Sequence, residues 1–274
     1  MTAAPPALSY APHRPPDAVR DLMTRDYLGF TQPAGAGSSW LVTPTPTATV
    51  IINTGTEFGG LPRAFVAGTT DTHDVVEQHG AIECLDLKLT PLGAYTLLGV
   101  PMSTLTGATV DLADVLGPAA RTLVERLAGT PDWAGRFALL DAYLLDRLDR
   151  GPAPAPEVAW TWRRLVETGG NTAVGALAEE VGWSRRHLVA RFRQQVGLAP
   201  KTAARVIRFE TLLRRLAAGG AAARAAVECG YYDQSHMDRD FREFAGTTPG
   251  AYLARLPDRM PEVTSVQYTW VPAG

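Results

Sequence analysis

Two strings in the C-terminal half carry basic and polar residues in the same internal arrangement. The first is Gly182-Trp-Ser184-Arg-Arg-His-Leu188-Val-Ala-Arg-Phe192, and the second is Gly230-Tyr-Tyr-Asp233-Gln-Ser-His-Met237-Asp-Arg-Asp-Phe241. In each, a glycine suits the positive φ that ends one helix. Ser184 and Asp233 then suit the N-cap of the next. Leu188 with Phe192, and Met237 with Phe241, stand at i and i+4 and turn inward together. Both pairs are offset by 49 residues, so one design occurs twice in register. The faces left outward hold the chemistry. Arg185, Arg186, Val189, Ala190 and Arg193 belong to the first; Gln234, Ser235, Asp238, Arg239 and Arg242 belong to the second. Arginine pairs bidentately with guanine O6 and N7, Gln with adenine, Asp accepts from cytosine N4, and Val or Ala packs on a thymine methyl. Taken singly, each of these residues reads equally well as a solvated helix face, and Asp238 also as an intrahelical partner of Arg239 or Arg242.

Two short helices joined by a tight turn form a helix-turn-helix unit. Pro200–Ala217 lies between the two units with Ala203, Val206, Phe209, Leu213 and Leu216 on one stripe. A helix of that length spans roughly 27 Å. As a strut it would set two recognition helices about one DNA turn apart, ~34 Å.

The charge follows the same division. The formal net charge of −2 splits at Gly151-Pro-Ala-Pro-Ala-Pro156. Residues 151–274 carry 16 Lys/Arg against 12 Asp/Glu, and residues 1–150 carry 10 against 16. The C-terminal part is thus +4, the N-terminal part −6. A basic part behind a stiff, extended Pro-rich spacer suits an anionic partner.

The N-terminal half reads as short strands. Residues 1–37 are rich in Pro, Ala and Gly, with order expected only around Val19–Phe30. Strands are expected at Ser39–Val42, Ala48–Asn53, Ala64–Gly68, Asp74–Gln78 and Ile82–Leu89. In the last, Leu85, Leu87 and Leu89 alternate with Asp86 and Lys88, the pattern of a half-buried strand. Thr90-Pro91 reads as an N-cap and first helical residue. Helices follow at about Pro118–Ala128 and Asp132–Leu148. The second presents Trp133, Phe137, Leu140, Leu144 and Leu148 on one face, for core packing or for a second subunit. His73 and His79 lack companions at ligand spacing, and no metal or cofactor is expected. Trp40, Phe58, His73 and Tyr95 are candidates for lining an effector pocket, with core packing the competing reading.

The fold class is therefore α+β: a β-rich regulatory domain with helices at 1–150, a linker at 151–157, an all-α domain with two helix-turn-helix units at 158–257, and a tail at 258–274. Two cysteines, no apolar run of 18 and no leader-like start point to a cytoplasmic protein without a membrane span.

The C-terminal ~100 residues resemble the AraC/XylS-type transcriptional regulators. The resemblance rests on Leu177-Ala178, Gly182-x-Ser184, Leu188, Phe192 and Gly197-x-x-Pro200. It rests further on Gly230-Tyr-Tyr-Asp-Gln-Ser-His236, Phe241-Arg242 and Gly246-Thr-Thr-Pro249-x-x-Tyr252. It implies a seven-helix DNA-binding domain and an N-terminal domain that senses a small molecule, dimerises, or both. The expected partners are double-stranded DNA, a small-molecule effector, a second copy of the chain and, for an activator, RNA polymerase. Val189 and Ala190 stand where many members place polar base-readers. The expected function is sequence-specific transcription regulation, not enzymatic. The alternatives are a ligand-independent regulator and a DNA alkyl-transfer repair protein using Cys84. The tail string Val266-Gln-Tyr-Thr-Trp270 is read as a strand returning to the N-terminal domain.

Overall fold

The computed structural model describes residues 9–33, 38–55, 60–78, 80–255 and 268–271. Period-two patterning organises the N-terminal unit. Strand β1 (Ser9–His13), helix α1 (Asp17–Arg20) and strands β2 (Tyr27–Gln32), β3 (Ser38–Val42), β4 (Ala48–Asn53), β5 (Ala64–Ala67), β6 (Asp74–Gln78), β7 (Ile82–Leu89) and β8 (Thr109–Asp111) supply the sheets. One antiparallel sheet has the order β1-β2-β7-β4-β5-β8. A second has the order β6-β3-β9, where β9 (Tyr268–Val271) is the returning tail, paired with β3 in the register Trp40 to Trp270. Strand β1 lies in the Pro-rich start where no strand was expected. It is held by pairing with β2 and by His13, whose Nε2 lies 2.9 Å from Asp141 Oδ2.

Strand β7 is central. Leu85, Leu87 and Leu89 join a core with Leu97, Phe137, Leu140 and Leu144 on one face of the large sheet. Helices α2 (Pro91–Leu98), α3 (Leu112–Leu116), α4 (Pro118–Gly129) and α5 (Trp133–Arg150) lie on that side. The stripe of α5 is thus spent on the core. The Thr90 cap is present, with Gly93 N donating to Thr90 Oγ1 at 3.0 Å. The half-buried reading of β7 is corrected: Asp86 is 8% and Lys88 3% exposed. The reason is that this face of the large sheet is also turned inward: Asp86 and Thr49 line a cavity shared with Trp40 and Val42 of the small sheet. Lys88 is satisfied there by donating to Thr49 Oγ1 at 2.7 Å.

The C-terminal unit comprises α6 (Pro156–Glu167), α7 (Val174–Glu180), α8 (Arg185–Val196), α9 (Pro200–Ala217), α10 (Ala222–Glu228), α11 (Gln234–Ala245) and α12 (Pro249–Leu253). The strut is the helix expected, and all five stripe residues are buried. The linker ends two residues sooner than expected, because Pro156 is the first residue of α6. It is also clasped at both ends. Thr96 Oγ1 donates to the Pro152 carbonyl at 3.1 Å, and Ala155 N donates to Gln195 Oε1 on α8 at 2.9 Å.

Strand β3 is a wall shared by the two units. Trp40 and Val42 face a cavity inside the β unit, while Leu41, between them, is buried in the core of the helical unit. Alternation along a strand makes this possible. No helix among the described residues is long and apolar enough to cross a membrane.

Candidate nucleic-acid interface

The two turns form as their residues dictate. Gly182 and Gly230 adopt φ of 68° and 78°. Ser184 Oγ accepts from His187 N at 3.2 Å, and Asp233 Oδ1 accepts from His236 N at 2.7 Å. Leu188, Phe192, Met237 and Phe241 are fully buried. They fix the rotation of α8 and α11, and that rotation decides which residues face out. Phe209 of the strut packs on Phe241 and Phe244 with ring centroids 5.3 and 5.1 Å apart.

Arg185, Arg186, Ala190, Arg193, Gln234, Ser235, Arg239 and Arg242 are exposed; Val189 and Asp238 are half-buried. Among the described residues, the five arginines of these faces make no ion pair. The intrahelical pairing of Asp238 with Arg239 or Arg242 does not form. The arginines behind the faces behave differently. Arg205 on the strut binds Asp240 at 2.9 Å and Glu243 at 2.7 Å. Its guanidinium holds the Glu243 carboxyl below the usual carboxylate range. Arg215 and Arg224 both pair with Glu228. Paired arginines tie helices together, and unpaired exposed ones are free to meet phosphate or base edges.

The first turn of α8 and the middle of α11 open onto one cleft of 720 Å³. Arg185, Lys201, Arg205, Arg208, His236 and Arg239 line it. Lys201 and His236 escaped the sequence reading. The available signal was Lys201 following Pro200 at the start of the strut, in a chain where only Lys88 is also lysine.

The effector candidates separate. Trp40 and His73 line a cavity of 840 Å³ between the two sheets. Phe58 lies outside the described residues, as does His79. Tyr95 is corrected: it sits on α2 and packs on the opposite, helix-covered side of the large sheet. Cys84 is fully buried, and burial pushes its thiol up. An alkyl acceptor needs an accessible thiolate, so Cys84 is a packing residue and the alkyl-transfer alternative loses its nucleophile.

The helical ends also meet the cavity's rim. A Cβ built on Gly197, which follows α8, would lie 2.3 Å from Thr69 Oγ1. One built on Gly246, which follows α11, would lie 2.5 Å from His73 Nε2. These glycines are again 49 residues apart, and both rest on the β5–β6 connection.

The family model of the helix-turn-helix domain matches residues 177–255. The HTH-type transcriptional regulator YbfI of Bacillus subtilis is 34% identical over 87 residues, 31% of this chain and 32% of YbfI. The chain thus spans about a third of that relative's length. Among solved structures, the C-terminal domain of the response regulator AraT of Geobacillus stearothermophilus is 19% identical, with a TM-score of 0.36, over 41% of this chain and 94% of AraT's. ToxT of Vibrio cholerae is 10% identical, with a TM-score of 0.43, over 90% of this chain and 97% of its own. Residues 177–255 of this chain are an AraC-type helix-turn-helix domain, the DNA-binding module of transcription regulators.

Proposed function

We propose that this protein is a sequence-specific transcription regulator that reads two successive major-groove segments with α8 and α11 and binds a small molecule in the β-unit cavity. The observation that carries the DNA reading is the set of exposed, unpaired arginines on the outward faces of the two recognition helices, Arg185, Arg186 and Arg193 on α8 and Arg239 and Arg242 on α11, of which Arg193 and Arg242 stand at matching places. Phosphate contacts supply affinity, and Arg186, Arg239 and their neighbours supply base choice. Lys201 adds positive charge to the cleft between the helices, and His236 adds a hydrogen-bonding ring.

The effector reading draws support from the shared wall and the shared rim. Residues Thr70, Thr72 and His73 line the cavity, while Thr69 and His73 touch the ends of α8 and α11. Occupancy then bears on the spacing of both recognition helices at once, which is a coupling between two sites. A second copy of the chain and RNA polymerase belong to this reading through the family resemblance alone.

The test uses a duplex enriched by the full chain from a randomised pool. The footprint is expected as two blocks about one helical turn apart. Arg186→Ala and Arg239→Ala each weaken binding at fixed salt by about 1–3 kcal/mol, each at its own block. Wild-type affinity in both variants would place base reading elsewhere.

A further inference from the structure

The cleft that separates the two recognition helices is a concave surface with a charge of its own; this inference rests on the DNA reading above. Arg185 of α8 and Arg239 of α11 stand on its lining, so it opens on the same side as both recognition faces. The strut contributes Lys201, Arg205 and Arg208. Asp240 and Glu243 also line the cleft, and alone they would repel an anion. Arg205 engages both, at 2.9 and 2.7 Å, and offsets their charge. Lys201 and Arg208 are left over: among the described residues neither makes an ion pair. Arg208 is half-buried. It donates through Nη2 to the Gly170 carbonyl at 3.1 Å, and its guanidinium lies 5.6 Å from the centroid of the Tyr231 ring. Lys201, the second residue of the strut, is exposed.

The shape of DNA decides what meets such a cleft. When two helices enter successive major grooves on one face of a duplex, the minor groove lies between them on that face. Its edges are the two sugar-phosphate strands, with one negative charge per ~1.7 Å of axis. A lysine is a compact charge on a flexible stem, and it meets phosphate as a point charge rather than reading a base edge through a fixed fork. We propose that the cleft is a phosphate clamp: Lys201 bonds the backbone between the two blocks that α8 and α11 read, and Arg208 behind it adds to the field. Such a contact carries no sequence information. It registers the duplex along the strut, so that both recognition helices meet their blocks together.

The duplex enriched from the randomised pool is the probe, intact or with a methylphosphonate replacing one phosphate at a time between the two blocks. Lys201→Gln keeps a polar stem and removes the charge. In the full chain it is expected to weaken binding ~5-fold at fixed salt, to lower the slope of log affinity on log salt by ~0.9, and to leave base preference at both blocks unchanged. Neutralising the clamped phosphate is expected to cost the wild type a similar factor and to cost Lys201→Gln nothing further. A lysine with a merely structural role would not give that non-additivity. Wild-type affinity and slope in Lys201→Gln, or equal losses by both proteins at every methylphosphonate position, overturns the clamp and leaves the DNA reading standing. Altered base preference in Lys201→Gln overturns the phosphate assignment in favour of base reading. A free anion is the competing source of phosphate. If inorganic phosphate weakens DNA binding beyond chloride of equal ionic strength in the wild type but not in Lys201→Gln, and no methylphosphonate matters, the cleft holds that anion and the backbone assignment is overturned. A pool that yields no enriched duplex overturns the DNA reading and the clamp together.

Discussion

Arg136 shows what a single residue does that its sequence neighbourhood does not announce. It sits on α5 and is 4% exposed. Its Nε donates to the Leu127 and Thr130 carbonyls at 3.2 and 2.7 Å, satisfying the end of α4. Its Nη1 lies 2.8 Å from Glu83 Oε1 on β7. One side chain therefore joins two helices to the central strand. Arg136→Ala leaves two carbonyls and a carboxylate without their partner, and is expected to cost about 2–4 kcal/mol in urea unfolding. A loss below ~1 kcal/mol would show that these bonds are replaced by solvent. The pH dependence follows from Glu83, whose pKa is lowered by the Arg136 hydrogen bond. A lowered carboxylate contributes stability above its unfolded value and loses it as pH falls through the folded one. Wild-type stability should fall on the acid side of the usual carboxylate range, ~4.3, and the variant's slope there should be shallower. Caps such as Ser184, Asp233 and Thr90 were legible because their partners lie three residues away. Arg136 with Glu83, and Arg25 with Asp86, were not, because 53 and 61 residues separate them.

At the scale of elements, the helices were legible and part of the sheet was not. Helix α9 and strands β4, β6 and β7 have the limits that periodicity assigns. Strands β1 and β2 escaped because the local signal is broken. Gly29 lies inside β2, where a Cβ would come within 2.4 Å of the Trp133 ring. The glycine is there to admit a tryptophan from α5, a contact no local pattern reports. The repeated helix-turn-helix design gives a paired prediction on two other glycines. Gly182 has φ of 68° with open space around its Cβ position. Alanine there meets backbone strain alone, about 1 kcal/mol. Gly197 has φ of 95°, and a Cβ would strike Thr69 Oγ1 of the other unit. Gly197→Ala is expected to cost more, ~2–4 kcal/mol, since strain and overpacking add. Equal losses in chemical denaturation would mean that the end of α8 does not press on the β5–β6 connection. Thr69→Ala in the Gly197→Ala background should recover part of the difference, because it removes the atom that the new methyl meets.

On the scale of the whole molecule, the split of charge into an acidic β unit and a basic helical unit suggests two bodies on a stiff spacer. The packing argues for one cooperative body. Leu41 leaves its own sheet to enter the helical core, and Leu92 of α2 packs against the same core. The linker is clasped by Thr96 and Gln195, and β9 carries the chain back onto β3. Sequence alone could not supply this, since Leu41 lies in an alternating strand whose two faces serve different units. Leu41→Ala removes apolar volume at 4% exposure and is expected to cost about 2–4 kcal/mol. The decisive reading is where that loss is felt. In a cooperative body, amide exchange quickens in the cores of α8 and α9 as well as in β3, because all open in one event. In two independent bodies, β3 opens and the helices keep their wild-type protection. The first result is the mechanical condition for a cavity in the β unit to govern two recognition helices. The second would leave DNA binding by residues 177–255 intact while cutting its link to the effector cavity, since a ligand shifts only those equilibria whose states it distinguishes.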